Sequence, residues 1–203
     1  MSRLAAFVTL ATVAAGAVML MRQGRAADDQ TADALDSLGV MLDPTTYTPA
    51  DVAPDEADMN LKAFLDMIAA SEGTAGRGDN GYNILVGGGT FDSYADHPRT
   101  VVQVRAGLAS SAAGRYQFLA RTWDSLAARL SLPDFSPQSQ DAAAIELIRE
   151  RGALNDVKAG RVEVAIQKVA KIWASLPGAG YNQPERRLSY LIAAYQNAGG
   201  ALA

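Results

Sequence analysis

The sequence predicts an α+β domain over residues 60–203, and three observations carry that expectation. An amphipathic stretch opens the domain, short β-type runs broken by glycine and proline follow it, and the remainder returns to a helical pattern. From Leu61 to Ser71, apolar residues at 61, 64, 65, 68 and 69 have the i, i+3, i+4 spacing of a helix with one buried face. Gly73 stands where such a helix should stop, because glycine accepts the left-handed backbone that follows a helix end. Between Tyr82 and Val104 the period changes. The runs 82–86, 90–91 and 100–104 are separated by Gly87-Gly88-Gly89 and Asp96-His97-Pro98, which reads as a small antiparallel sheet. Beyond Gly114 the spacing predicts helices at about 115–130, 137–151, 161–175 and 185–198, punctuated by Pro133, Pro137, Gly152, Gly160, Pro177 and Pro184.

Two segments precede this domain. Leu4 to Met21 carries no charge and is flanked by Arg3, Arg22 and Arg25. As a helix it would be about 27 Å long, close to the ~30 Å of a hydrocarbon core. Apolar residues surround it on all sides, so residues 1–21 read as a signal-anchor that stays in the membrane or as a signal peptide cleaved near Ala15-Gly16-Ala17. Residues 22–59 read as an acidic, proline-containing linker with prolines at 44, 49 and 54. Nine of the 22 acidic residues and no base lie between Asp28 and Met59, so the domain itself is left weakly basic. A weakly basic surface suits an anionic polymer, and it is equally an ordinary device for solubility.

Composition removes several function classes. There is no cysteine, hence no disulfide and no thiolate metal site. A single histidine, His97, excludes a zinc site built on two imidazoles, including those of peptidases that cut the peptide part of cell walls. The glycine run at 87–89 is followed by neither a helix nor a Lys-Ser/Thr pair, and no Gly-x-Ser-x-Gly elbow is present. No basic stripe marks a nucleic-acid surface. The one adjacent pair of bases, Arg186-Arg187, reads as a solvated helix face. No cofactor is expected.

Three places remain where chemistry could reside. Glu72 ends the opening helix in Ala70-Ser71-Glu72-Gly73-Thr74, where a carboxyl half covered by neighbouring lobes would have the raised pKa of a general acid. Pattern alone also allows a solvated helix-end glutamate. Ala113-Gly114-Arg115-Tyr116-Gln117-Phe118 reads as a small-residue turn running into a helix, offering donors and an aromatic face to a sugar, or simply a helix start with one buried tyrosine. The third, 176–184, is too rich in glycine and proline for a regular element and reads as a cleft lip or a plain connection. His97, before Pro98 at a strand end, reads as a hydrogen-bonded hairpin residue.

Taken together in order, these and further short motifs resemble the bacteriophage lambda lysozyme (endolysin) family. The resemblance is carried by Ala63 to Met67 with Ser71-Glu72-Gly73-Thr74, Gly81-Tyr82, Val86-Gly87-Gly88, and Tyr94 with Asp96-His97-Pro98-Arg99. It continues through Ala113 to Gln117, Asp134 to Pro137 with Ser139 to Ala142, Glu150 to Leu154, and Ile172 to Tyr181. It spans the whole domain. It implies a lysozyme-like fold, with a cleft between a small antiparallel sheet lobe and a mainly helical lobe, bordered by lips around 100–111 and 177–184. It further implies a lytic transglycosylase acting on the glycan strands of peptidoglycan, with Glu72 as catalytic acid and Arg115, Tyr116, Gln117, Tyr181 and Gln183 as substrate contacts. Asn83 stands where the family has an acid, and the stretch 75–80 looks shorter than in the lambda protein. The tether at residues 4–21 implies an exported or membrane-anchored enzyme facing the cell wall. A wall-binding or virion component without turnover, and a true hydrolase, are the competing readings.

Overall fold

A computed structural model describes residues 54–181 and 184–203. The expectations for residues 1–21, for most of the linker and for Gln183 lie outside the described residues. Among the described residues, no helix is long and apolar enough to cross a membrane.

The opening helix, α1 (Pro54–Glu72), begins six residues before the expected boundary at Asn60. Pro54, Glu56 and Asp58 argued for a linker by composition, yet each suits a helix start. Proline at the first position loses no hydrogen bond, and acids near the N-terminus complement the helix dipole. The helix buries Ala63, Phe64, Met67, Ile68 and Ala69 completely, the face that the apolar spacing predicts. Gly73 ends it with φ +74°.

The sheet is smaller and lies later in the chain than expected. Its two antiparallel strands are β1 (Val102–Arg105) and β2 (Leu108–Ser110), paired Val102 to Ser110 and Arg105 to Leu108. The run 82–86 forms only isolated bridges, Ile84 to Thr90 and Leu85 to Ala113. Its neighbourhood is too full of left-handed glycines to continue a ladder, with Gly81, Gly87 and Gly88 at φ +94°, +84° and +97°.

Five helices complete the domain: α2 (Ala120–Leu130), α3 (Pro137–Glu150), α4 (Leu154–Lys158), α5 (Val162–Val169) and α6 (Leu188–Asn197). The start of α3 is legible in the sequence. Ser136 caps it by accepting from the Ser139 amide at 3.4 Å, and Pro137 occupies its first turn. Two expected helices are shorter. Residues 115–119 belong to a turn rather than to α2, and after Val169 the chain proceeds by single turns. The short α4 has no counterpart among the expected elements.

In the main core cluster Phe64, Met67 and Ile68 of α1 join Trp123, Phe135, Ile148, Ile166, Leu176, Leu191 and Tyr195, and a small second cluster of Val86, Ala112 and Leu119 lies under the strands. Trp123 and Phe135 meet edge to face at 4.6 Å, a geometry that aligns the positive ring edge with the negative face. α1 packs chiefly against α6 and α4. Buried Asn60 pins this arrangement: its amide donates to Lys158 O at 3.1 Å and its carbonyl accepts from the Ala201 amide at 2.8 Å. The C-terminal end of α1 is thereby fixed relative to every element that approaches it.

Candidate active site

Glu72 is the last residue of α1 and is 8 % exposed. Its Oε1 accepts from the Ser175 hydroxyl at 2.7 Å. Burial pushes its pKa from 4.5 up to about 8, against the opposing pull of the Ser175 hydrogen bond and the Arg186 charge. The helix-end glutamate is therefore neither solvated nor ionised at neutral pH. It lines a recess with Thr74, Arg77, Ile84, Leu85, Val86, Gly87, Gly88 and Gln117. Glu72 is the only carboxylic acid among those lining residues.

Two acids that follow Glu72 in the chain are engaged elsewhere. Asp79 accepts from Tyr94 Oη at 2.8 Å, and Asp96 forms an ion pair with Arg99 at 2.8 Å. Asn83 turns its Oδ1 to the Asp79 amide at 2.8 Å. His97 is buried. Its Nδ1 accepts from the Arg99 amide at 3.0 Å, so Nε2 carries the hydrogen and donates to Phe118 O at 2.9 Å. It is a loop strut, in keeping with the hydrogen-bonded role expected of it.

The turn at 113–118 forms the floor beside Glu72. Ala113 and Phe118 exchange backbone hydrogen bonds at 3.0 and 2.9 Å, enclosing a tight loop with Gly114 at φ +80° and Gln117 at φ +53°. This left-handed pair is what prevents the helix expected from 115. Buried Gln140, from α3, holds the loop from below. Its Oε1 accepts from the Arg115 amide at 2.8 Å, while its Nε2 donates to Tyr82 O and Phe135 O at 3.0 and 2.8 Å. A Cβ at residue 114 would lie 2.3 Å from Gln140 Oε1 and 2.9 Å from the Phe135 ring. Gly114→Ala is expected to cost more than the ~1–2 kcal/mol of a left-handed non-glycine residue, because Gln140 must also leave its three partners. Chemical denaturation would check this; a loss below about 1 kcal/mol would mean that the turn relaxes freely.

The structure separates the residues predicted to contact substrate. Gln117 lines the Glu72 recess and also a neighbouring cavity of about 200 Å³ bounded by Leu119, Thr122, Leu147, Arg151, Lys171 and Trp173. Its Nε2 is held by Gly114 O at 3.0 Å and Ile84 O at 3.3 Å, which fixes the amide plane at the rim. Tyr181 is partly exposed; its hydroxyl donates to Lys171 O at 2.9 Å, and Lys171 Nζ lies 5.9 Å from its ring centre. Arg115 and Tyr116 face the other way. The side chain of Arg115 is 3 % exposed, ion-paired with Asp66, bonded to Asn80 O and stacked 5.1 Å from the Tyr82 ring. Tyr116 is 1 % exposed and donates to Asp141 at 2.6 Å, an acid that also accepts from Tyr82 at 2.9 Å. Both side chains brace the turn from behind with most of their polar groups turned inward, and Tyr116 also borders the cavity that Gln117 shares.

Within the glycine-rich lip, residues 178–180 are tied down by side chains. Glu185 accepts from the amides of Gly178 and Gly180 at 2.9 and 3.0 Å, and Lys171 Nζ donates to Ala179 O at 2.8 Å. Just before it, the turns at 170–176 bring Trp173 Nε1 to Tyr116 O at 3.2 Å and Ser175 to Glu72. Just after it, Arg186 donates through Nε to Ser71 O at 3.2 Å and lies 5.6 Å from the Tyr190 ring centre. Arg186 precedes α6 and belongs to the site, not to a solvated helix face. Sequence reasoning passed over Ser175 and placed Arg186 on a solvated helix face. Each lies over a hundred residues from Glu72 along the chain, and no local pattern marks them.

The folded domain is similar to known proteins. A family model described as endolysin matches residues 62–202. The endolysin of Escherichia phage lambda is 50 % identical over 151 residues, covering 72 % of this chain and 96 % of that protein. The endolysin of Escherichia phage P2 is 49 % identical over 154 residues, covering 70 % of this chain and 93 % of that protein. Among solved structures, bacteriophage lambda lysozyme in complex with a chitohexasaccharide superposes with a TM-score of 0.70 at 48 % identity, over 71 % of this chain and 97 % of that one. The matches cover the folded domain and take in both the buried acid and the turn and lip around it. The chain belongs to the endolysin family, peptidoglycan-degrading glycosidases of the lysozyme type.

Proposed function

We propose that this enzyme is a lytic transglycosylase, cutting the bond between N-acetylmuramic acid and N-acetylglucosamine to leave a 1,6-anhydromuramic end. The observation that carries the reading is a single buried carboxyl, Glu72, kept neutral at physiological pH with no second acid among the residues lining its recess. A retaining hydrolase needs a second carboxylate about 5–5.5 Å away, whereas internal transfer needs only one group that serves first as acid and then as base. Glu72 donates its proton to the glycosidic oxygen as the C1–O bond breaks, assisted by the sugar's own N-acetyl carbonyl. The muramic C6 hydroxyl then attacks C1 and returns its proton to Glu72. Catalyst and proton balance are restored without water.

Gln117 and Tyr181 are the proposed sugar contacts at the floor and the lip, and Gln183 is assigned with them on the resemblance alone. The lambda lysozyme complex with a chitohexasaccharide supports a glycan as ligand. Residues 4–21 would deliver the domain to the wall side of the membrane, and the mass of the mature protein from membrane and soluble fractions tests that part. The reaction type is tested by mass spectrometry of fragments from purified peptidoglycan. Anhydro ends are expected; fragments heavier by one water (about eighteen daltons, the mark of a hydrolytic nucleophile) would overturn transglycosylation.

A further inference from the structure

Behind Glu72 the structure holds three buried oxygens in series. Ser175 Oγ lies 2.7 Å from Glu72 Oε1 and 2.9 Å from Ser71 Oγ, and Ser71 Oγ lies 2.8 Å from Ile68 O. Ser71 is 0 % exposed and Ser175 2 %, so the protein must supply their hydrogens. Three contacts need three hydrogens. With a proton on Glu72 Oε1 there are three, and the chain runs from Glu72 to Ser175 to Ser71 to the Ile68 carbonyl. With Glu72 ionised there are two, and the chain must reverse: Ser71 donates to Ser175 and Ser175 to Oε1. Ile68 O tolerates this, because as a carbonyl within α1 it keeps its helical bond. Only hydroxyl rotation is required.

We propose that Ser175, backed by Ser71, is the positioning residue for the Glu72 proton. It claims Oε1 as acceptor and leaves Oε2 as the atom that exchanges a proton with substrate, so its hydroxyl keeps one direction as Glu72 passes between acid and base and reverses only when the proton moves to Oε1. This rests on the reading of Glu72 as the general acid and base. When the proton sits on Oε2, ready for transfer, the hydroxyls already point as the carboxylate needs them, so proton loss requires no further rearrangement. The hydroxyl chain also explains why the chain turns at 170–176 instead of extending α5: a continued helix would carry Ser175 away from the end of α1. The charged groups facing Glu72 are Arg186, from the segment before α6, and Arg77, from the loop after α1. Both are guanidinium cations.

The experiment measures kcat, KM and their pH dependence on glycan strands from purified peptidoglycan, with thermal melts alongside. Removing a bond that favours the carboxylate should move the alkaline limb of kcat upward in pH. Ser175→Ala is therefore expected to shift that limb up by roughly one unit and lower kcat about tenfold, with KM little changed. Ser175→Thr, which keeps the hydroxyl, should restore the parental limb, and Ser71→Ala should move it in the same direction by less. If Ser175→Ala does not fold, Ser71→Ala decides alone. An unmoved limb in whichever variant decides overturns the relay. Glu72→Gln, run in parallel, keeps the two claims apart: an inactive Gln variant with an unmoved limb sinks the relay only, whereas an active Gln variant sinks the assignment of Glu72 itself.

Discussion

Glu72→Gln is expected to lower the rate of peptidoglycan cleavage by ~10²–10⁴, the usual worth of a positioned general acid. The substitution keeps the shape and the Ser175 contact and removes only the transferable proton. The parent should lose activity as pH rises through about 8, where Glu72 ionises. The same group makes an opposite demand on stability. Its folded pKa lies above the ordinary value of 4.5, so below pH 4.5 both folded and unfolded chains hold the proton and nothing is lost. Between 4.5 and about 8 the unfolded chain ionises while the folded one resists, and stability falls by up to about 1.4 kcal/mol for each pH unit. Above that window the fall stops. Glutamine does not titrate, so the variant should unfold at a higher temperature than the parent at pH 8, with little difference at pH 4.5. His97 is common to both proteins and cancels from the comparison. Parallel melting curves for the two proteins across this range would refute the buried neutral carboxyl, and a variant as fast as the parent would refute its role.

Arg115→Ala is expected to lose about 3 kcal/mol of stability, in the range for removing one partner of a buried ion pair. Three supports disappear together: the pair with Asp66 on α1, the bond to Asn80 O and the stacking on Tyr82. Arg115→Lys should recover little of this, since one ammonium cannot reach two acceptors while lying flat on a ring. The loss reads out as a lower midpoint in urea. KM, for whatever fraction stays folded, should remain near the parental value, because the guanidinium points into the protein. A variant of full stability and raised KM would return Arg115 to the substrate.

How much of this was legible before the structure depends on the range of the interaction concerned. The buried face of α1, its glycine stop and the serine-proline start of α3 are local, so spacing and residue type suffice to find them. The expected helix from 115 failed for an equally local reason that went unweighed: Gly114 favours a left-handed turn, and Gln117 follows it there once Ala113 and Phe118 pair. The run at 82–86 has the composition of a strand but no straight neighbour with which to pair. Glu72 was found because the motif around it is contiguous. Its apparatus was not, because Ser175 and Arg186 reach it from over a hundred residues away, and Gln140 braces the neighbouring turn from a third part of the chain.

Sequence alone determined the class of the domain, the position of its acid and the absence of cysteine or paired-histidine chemistry, since each follows from residue identity and short-range periodicity. Only the tertiary structure decided that Glu72 is neutral, that Arg115 and Tyr116 brace the turn from behind, and that two serines stand behind the carboxyl. Those outcomes depend on which distant groups exclude water from a given atom. Desolvation and hydrogen-bond partnership belong to the packed chain and have no representation in the order of its residues.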